Sequence, residues 1–365
     1  MIGLSRHLKR DLVILVCVAL VVAWANGDLK DLLGIPGWQS YAVRIINMCA
    51  INAVLALSLN LVNGFTGQFS LGHAGFMALG AYTTALLTMD MAAKDRVFFM
   101  TPLVEPLRNL TLPFLPALVL AGIVAGLFSL LVGVPALRLR GDYLGIATLG
   151  FAEIIRLIIQ NVRKVTNGAL GLKGIPPVVN LWWTLGSAFV CYLMLRNFLA
   201  SSYGRAFKSI RENETAAQAM GIDLFKHKLL SFFISSFWAG VGGGLLASLL
   251  TTIDPVQFKF PLTFQVLLTV VLGGMGSLSG SIIAAGIVTY LMEFLRVVEE
   301  THYWGSITIP GIPGLRMVIF SLALVVVVVW YPKGLMGDRE LTVAGIKGVL
   351  GRVRQRLRIK GGRPA

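Results

Sequence analysis

Charge is scarce in this 365-residue chain. Only 13% of its residues are charged, against about 25% in soluble domains, and that deficit excludes an ordinary soluble enzyme. Cysteine is scarcer still. Cys17, Cys49 and Cys191 each lie inside an apolar run, and an odd, buried set supplies neither a disulfide framework nor metal-ligand spacing. The four histidines, His7, His73, His227 and His302, are scattered. The chain has no H-E-x-x-H, no G-x-x-x-x-G-K-[ST] and no G-x-S-x-G. It therefore carries no zinc-hydrolase helix, no ATP-hydrolysing loop and no serine nucleophile elbow. No catalytic centre, metal site or bound cofactor is expected. A membrane-embedded enzyme would need His, Cys, Asp or Glu clustered at bilayer depth, and the sequence lacks such a cluster.

What the chain has in quantity is apolar residues, 56% of the total, with a mean hydropathy of +0.78 and 40 glycines suited to close helix packing in lipid. The apolar residues come in ten segments, near 11–25, 41–62, 66–89, 113–137, 143–160, 179–199, 227–252, 262–274, 279–297 and 312–331. A crossing helix needs about 20 such residues, so the eighth is either a half-helix or extends back through Phe258. The expectation is an all-α integral membrane protein of about ten transmembrane or half-spanning helices. Residues 1–331 form its polytopic domain, and a basic tail occupies 332–365.

With the N-terminus inside and the spans alternating, 19 Lys and Arg fall on the inside and 8 on the outside. This bias places both termini in the cytoplasm. The loop 161–178, with Arg163, Lys164 and Lys173, is the one outside loop that resists the assignment. The net charge of +15 fits the anionic cytoplasmic leaflet, and no nucleic-acid partner is expected. Arg6, Lys9 and Arg10 before an apolar run ending Ala23-Trp24-Ala25 also have the shape of a cleavable signal peptide. Cleavage would leave the remaining topology unchanged. In the tail, Ile346, Val349, Leu350, Val353 and Leu357 fall at helical spacing among arginines. They form either an interfacial helix or a frayed basic end.

Four stretches carry information. In 60–82, Asn60, Asn63, Thr66, Gln68, Ser70 and His73 are mixed with five glycines. Irregular backbone at membrane depth must be buried in protein or line a wet cavity. The stretch is either a broken helix at the transport pathway or a turn followed by a tightly packed helix. The cost of polar groups at depth favours the pathway, with Asn63, Gln68, Ser70 and His73 as candidates, although His73 alone reads as a packing histidine. Ser70, Ala74 and Ala78 make a small-residue column.

The inside loop 200–226 reads as a helix over 204–220. Lys208/Glu212 and Arg211/Glu214 stand at attractive spacings, Gly221 serves as the stop, and Asp223 caps the next helix. Ala216, Ala217 and Ala219 give it a low profile that suits docking. The third stretch, 272–281, is a Gly/Ser turn. Its G-M-G-S-L echoes G-Q-F-S-L at 67–71, and a second echo is E-x-x-R, in Glu153/Arg156 and Glu293/Arg296. The echoes hint at two related halves. Each E-x-x-R pair lies on one helical face and reads as a self-neutralising intramembrane ion pair. The fourth stretch, 165–177, and a similar loop, 305–314, are Gly/Pro-shaped outside loops that either receive a soluble partner or merely connect.

The runs SLNLVNGFTGQFSLGHAGFMALGAY, GDYLGIATLGFAEIIR, TNGALGLKGIP and SIRENETAAQAMGIDLFKHKLLSF resemble the branched-chain amino acid ABC permeases, and within them the M-type subunits of Liv systems. The resemblance runs from about residue 40 onward. It implies a layout similar to large ABC importer permeases in the bacterial inner membrane, and a homologous second permease as partner. It also implies two cytoplasmic ATPases that use the ATP, and a periplasmic substrate-binding protein. The family's docking pattern is Glu-Ala-Ala, three residues, then Gly. It falls here on Ala216, Ala217 and Gly221, with Glu214 displaced by one place. Because this chain shows no charged clamp, selectivity is expected to reside largely in the binding protein. The alternatives are a urea or short-amide importer of the same build and a self-contained secondary transporter or channel. The latter would have only Glu153 and Glu293 as deep acidic groups.

Overall fold

The computed structural model describes residues 40–139, 141–299, 302–304, 307–309, 314–330, 334–337 and 340. The first apolar segment, Cys17, the signal-like stretch and the tail helix expected at 346–357 lie outside the described residues. Each of the other nine apolar segments contains a helix. In chain order we label α1 Ser40–Asn60, α2 His73–Thr88, α3 Phe114–Ala136, α4 Asp142–Asn161, α5 Leu181–Ala200, α6 Ser202–Glu212, α7 Glu214–Ala219, α8 Leu224–Leu250, α9 Phe260–Gly273, α10 Leu278–Phe294 and α11 Leu315–Trp330.

Among the described residues, three stretches are long and apolar enough to cross a membrane: Tyr41–Phe65, Phe114–Ala136 and Leu224–Leu250. Among the described residues, sheet is confined to two-residue strands at Leu172–Lys173 and Thr252–Ile253, which pair with each other, and a short hairpin of His302–Trp304 with Ile307–Ile309. The eighth segment does not extend through Phe258 as one helix. Pro255–Phe258 is a 3-10 turn, and Lys259 is extended before α9 begins.

The centre of the bundle is α8, which packs along α2, α3 and α1. Its sequence explains why. Gly240 and Gly244 form a G-x-x-x-G ridge, and Gly242 and Gly243 complete a notch that lets backbones approach closely. A Cβ on Gly80 would stand 2.0 Å from the Gly240 carbonyl oxygen, and one on Gly243 would stand 2.1 Å from that of Met77. Against α3 the relation reverses, because Phe237 and Phe233 of α8 fill the notches at Gly122 and Gly126. Two helices that are apolar all round have no hydrophobic drive to associate within lipid, so shape of this kind must supply the contact.

The loops sort to two ends. At one end lie the 61–72 segment, α6, α7, the 274–277 turn, residues 334–337 and Glu340. There Arg211 reaches Gly64, Asn60 reaches Gly276, and the Leu335 and Met336 N–H groups donate to Leu272 and Gly273 at 2.8 and 3.2 Å. Glu340 accepts from the Leu278 and Ser279 N–H groups at 2.7 and 3.2 Å, a carboxylate on the free donors of α10. The beginning of the basic tail is thus stitched to the bundle. At the other end, Leu112 N–H donates to Leu87, Val104 N–H to Lys164, and Ile175 N–H to Thr251. The loop 161–178 therefore shares an end with the loops at 89–113 and 251–259, as the alternating topology expects.

Candidate functional site

The first helix does not end at Asn60. It widens into a π turn, Leu61–Phe65, and the chain then runs non-helically to Gly72 before α2 begins. The segment expected as helix from residue 66 is helical only from His73, so Ser70 leaves the small-residue column while Ala74 and Ala78 stay buried in α2. The cause is local. A Cβ at Gly64 would meet Asn60 Oδ1 at 1.8 Å and Gly276 N at 2.6 Å, and Gly67 turns the chain at φ +71°.

Released backbone at this depth must find partners, and the polar residues provide them. Asn63 clasps Ser70 through Oδ1 and Nδ2, at 3.2 Å from its N–H and 3.3 Å to its carbonyl. Thr66 Oγ1 donates to the Leu61 carbonyl at 2.9 Å. Thr148 Oγ1 accepts from Leu71 N–H at 3.0 Å, and Thr263 Oγ1 from Ala74 N–H at 2.9 Å. His73 Nε2 lies 3.1 Å from Ser58 Oγ. Asn60 binds the facing turn, accepting from Gly276 N–H at 2.9 Å and donating to Ser281 Oγ at 2.7 Å. Gln68 Nε2 donates to Ser231 Oγ at 2.8 Å, while its Oε1 is buried with no partner. Asn63, Gln68, Ser70 and His73 are therefore all buried within this chain, and the break presents Gly67 and Phe69 outward.

The 200–226 segment grips this break. The single helix expected over 204–220 is two helices, because Asn213 is extended (φ −161°) and caps α7 by accepting from Ala216 N–H at 3.0 Å. The kink ends the expected Arg211–Glu214 spacing. Arg211 donates to the Gly64 carbonyl and to Glu212, both at 3.0 Å, and Glu214 pairs with buried Lys228 of α8 at 2.5 Å. The Lys228 carbonyl in turn accepts from Gln68 Nε2 at 3.4 Å. Gly221 stops α7 at φ +83°, with Ile222 N–H reaching the Ala217 carbonyl and Gly221 N–H that of Gln218, the hydrogen bonding of a Schellman cap. Asp223 then caps α8 by accepting from Lys226 N–H at 3.1 Å.

Of the alanines, Ala217 turns inward, while Ala216, Ala219 and Met220 face outward, Met220 at 83% exposure. Sequence reasoning missed Lys228, Asn213 and Met220. The advance signal for Met220 was a large apolar side chain next to the Gly221 stop, at the end of the Ala-rich run.

Both E-x-x-R pairs make carboxylate–guanidinium contacts. Arg156 binds Glu153 and Gln160, and Arg296 binds Glu293 at 3.1 Å. Cys49 and Cys191 are free thiols, and no cluster able to hold a metal occurs among the described residues. The arrangement is an irregular, hydrogen-bonded break, held through Arg211 and Lys228 by a short capped helix with a small outward face.

Comparison with known proteins adds the family. Residues 41–329 match the model of the branched-chain amino acid transport system permease component. The high-affinity branched-chain amino acid transport system permease protein LivM of Salmonella typhimurium is 31% identical over 362 residues, covering 90% of this chain and 75% of that protein. Its namesake in Escherichia coli is 30% identical over the same shares. The LivH permease protein of Salmonella typhimurium is 22% identical, covering 79% of this chain and 92% of its own. No solved structure matches. The match spans every helix from α1 to the last turn of α11, and the chain belongs to the permease-component family of branched-chain amino acid transport systems.

Proposed function

We propose that this chain is the M-type transmembrane subunit of an ATP-driven importer of leucine, isoleucine and valine. It forms half of the translocation pathway with a homologous LivH-like permease. Two cytoplasmic ATPases drive the pair, and a periplasmic binding protein delivers the substrate. The protein sits in the bacterial inner membrane with both termini in the cytoplasm, which places α6 and α7 on the ATPase side. The observation that carries this reading is the family match over 41–329, together with the identity to LivM proteins along 90% of the chain.

Physical chemistry agrees with the division of labour. A zwitterionic amino acid cannot cross hydrocarbon unaided, because both charged ends would lose their hydration. The outward face of Ala216, Ala219 and Met220 is the contact for an ATPase groove. ATPase closure pulls on α7, and Arg211 and Lys228 pass the displacement to the break between α1 and α2. Glu214 serves here through its charge, as the partner of Lys228, and Gly221 serves through its left-handed backbone.

The test is uptake of labelled leucine into proteoliposomes holding the two permeases, the ATPases and the binding protein, with and without ATP on the cytoplasmic side. ATP-dependent uptake that isoleucine and valine block and urea does not is the expected result. Uptake of urea or a short amide in place of leucine would keep the machine and replace its substrate. ATP-independent uptake by this subunit alone would point to a secondary transporter.

A further inference from the structure

At the end of the bundle away from the break, α1, α9 and α10 line an open-mouthed cavity of about 230 Å³. That is smaller than the roughly 300–1,000 Å³ of sites for drug-sized ligands. It extends from Tyr41 and Arg296 at its mouth to Asn52 and Thr289. The eleven helical steps from Tyr41 to Asn52 climb roughly 16 Å, about half the hydrocarbon thickness.

The sequence shows Glu293 and Arg296 as a self-neutralising pair. The fold changes their setting by bringing residues of α1 beside them. Tyr41 Oη donates to Glu293 Oε1 at 2.8 Å, and Arg296 Nη1 binds the same oxygen at 3.1 Å. Both bonds fall on Oε1, so Oε2 keeps its acceptor capacity. One turn from Tyr41, Arg44 lines the same cavity, and its guanidinium makes no hydrogen bond or ion pair among the described residues. The Gln265 side-chain amide likewise has none. Asn52 spends its Nδ2 on Thr289 Oγ1 at 2.8 Å, leaving Oδ1 open. The rest of the lining is Ile45, Met48 and Met292.

Arg44 is exposed in the first turns of α1, at the mouth of the cavity, where its guanidinium can take an anion. The unused groups here are of two kinds. Arg44 and the Gln265 amide are donors suited to a carboxylate, and Arg can take one with two parallel bonds. Glu293 Oε2 and Asn52 Oδ1 are acceptors suited to an ammonium. Between them lie flexible thioethers that adapt to branched aliphatic groups of different shape.

We infer that this cavity is a transit site for a free aliphatic α-amino acid. Arg44 takes the carboxylate, Glu293 and Asn52 take the ammonium, and Met48 and Met292 hold the side chain. The inference rests on the importer reading and deepens it. Selectivity then has a second checkpoint inside the permease, where the sequence shows no charged clamp because its parts come from distant helices.

The experiment uses the complete reconstituted importer. Wild type must first show ATP-dependent leucine uptake, and if it carries no leucine, the importer reading and the site fall together. Given that uptake, Arg44→Gln is expected to lower it about tenfold, the loss of a charge-assisted bond. Complex assembly and binding-protein-stimulated ATP hydrolysis are expected to stay within twofold of wild type, and Arg44→Lys is expected to recover part of the uptake. Should Arg44→Gln fail to assemble, Met48→Trp, which fills the cavity without touching a charge, is read in the same way. Wild-type uptake in the assembled variant would overturn the site while leaving the importer standing. If, in addition, native mass spectrometry found a phospholipid lost with Arg44, the cavity would belong to a lipid headgroup.

Discussion

Arg211 donates from Nη1 to the carbonyl oxygen of Gly64 at 3.0 Å, tying the end of α6 to the π turn that follows α1. The contact is specific at both ends. A Cβ on Gly64 would collide with Asn60 and Gly276, and one on Gly67 would press on the Arg211 side chain at 3.0 Å. Two glycines thus clear the ground on which one arginine lands.

If this bond transmits ATPase motion, Arg211→Ala is expected to leave the ATPases bound, since the outward face of α7 is untouched. Uptake per ATP hydrolysed should fall by at least about tenfold, the lower end of the roughly 1.5–3 kcal/mol of a hydrogen bond from a charged donor. Arg211→Lys, which can still reach one carbonyl, should recover part of it. Paired measurements of leucine uptake and phosphate release decide the matter, and an unchanged ratio would show that the bond carries no motion.

Met220 is the second handle. It is 83% exposed at the end of α7, whereas Ala217 is 3% exposed and packed inward. Met220→Glu is therefore expected to weaken ATPase co-purification by roughly 30-fold, the scale of a lost interface anchor of about 2 kcal/mol. Its thermal stability should stay at the wild-type value. Ala217→Trp should instead disrupt the segment itself and lower the melting temperature. Equal ATPase recovery with wild type and Met220→Glu would place the docking surface elsewhere.

The glycines separate into two classes that a stability assay can tell apart. Gly80→Ala sets a methyl 2.0 Å from the Gly240 carbonyl oxygen, a backbone atom that cannot swing away. A loss of roughly 3 kcal/mol or more is expected. Gly150 and Gly186 lie in helices with nothing within 4 Å of a new methyl. Alanine there should stabilise by about 0.5–1 kcal/mol. Thermal unfolding of the detergent-purified subunit would rank the three.

Lys94 gives a pH signature outside the spans. It is fully buried, and its Nζ donates to the carbonyls of Leu107 at 2.8 Å, Arg108 at 3.5 Å and Leu110 at 2.7 Å. Burial pushes its pKa below the ordinary lysine value, against a smaller opposing pull from Asp90. Between the folded and unfolded pKa the unfolded chain binds the extra proton, so stability rises with pH there. The penalty is fully present below the folded pKa and is relieved as pH approaches about 10.4, the unfolded value. Lys94→Met should remove this alkaline rise and cost about 1–3 kcal/mol near neutrality, because the three carbonyls lose their donor. Melting curves of wild type and variant across the alkaline range provide the check, and parallel curves would contradict it.

How much of this was legible beforehand depends on range. Gly221 as a stop and Asp223 as a cap were readable because both act on their immediate neighbours. The helices of segments 41–62 and 113–137 were readable because lipid demands about 20 apolar residues in a row. The density of Asn, Gln, Ser and His at 60–73 announced irregular backbone. It could not say whether those side chains face a pathway or the freed backbone, because both need the same donors and acceptors.

Asn213 shows the limit of local reading. Its neighbours favour continuous helix, yet Lys228 claims Glu214 and the chain kinks to deliver it. The G-V-G-G-G run of α8 could equally have been a flexible hinge. Only packing against Met77, Gly80 and Ala125 makes it the rigid centre. By itself the sequence determined the membrane class, the stop at Gly221, the cap at Asp223 and the place of the break, since each follows from burial in lipid or from bonds within one turn. Tertiary structure decided which charges meet. Tyr41 and Glu293 stand 252 residues apart, yet the phenol donates to the carboxylate at 2.8 Å, because helices pack by shape, and no local rule of periodicity records which distant faces will touch.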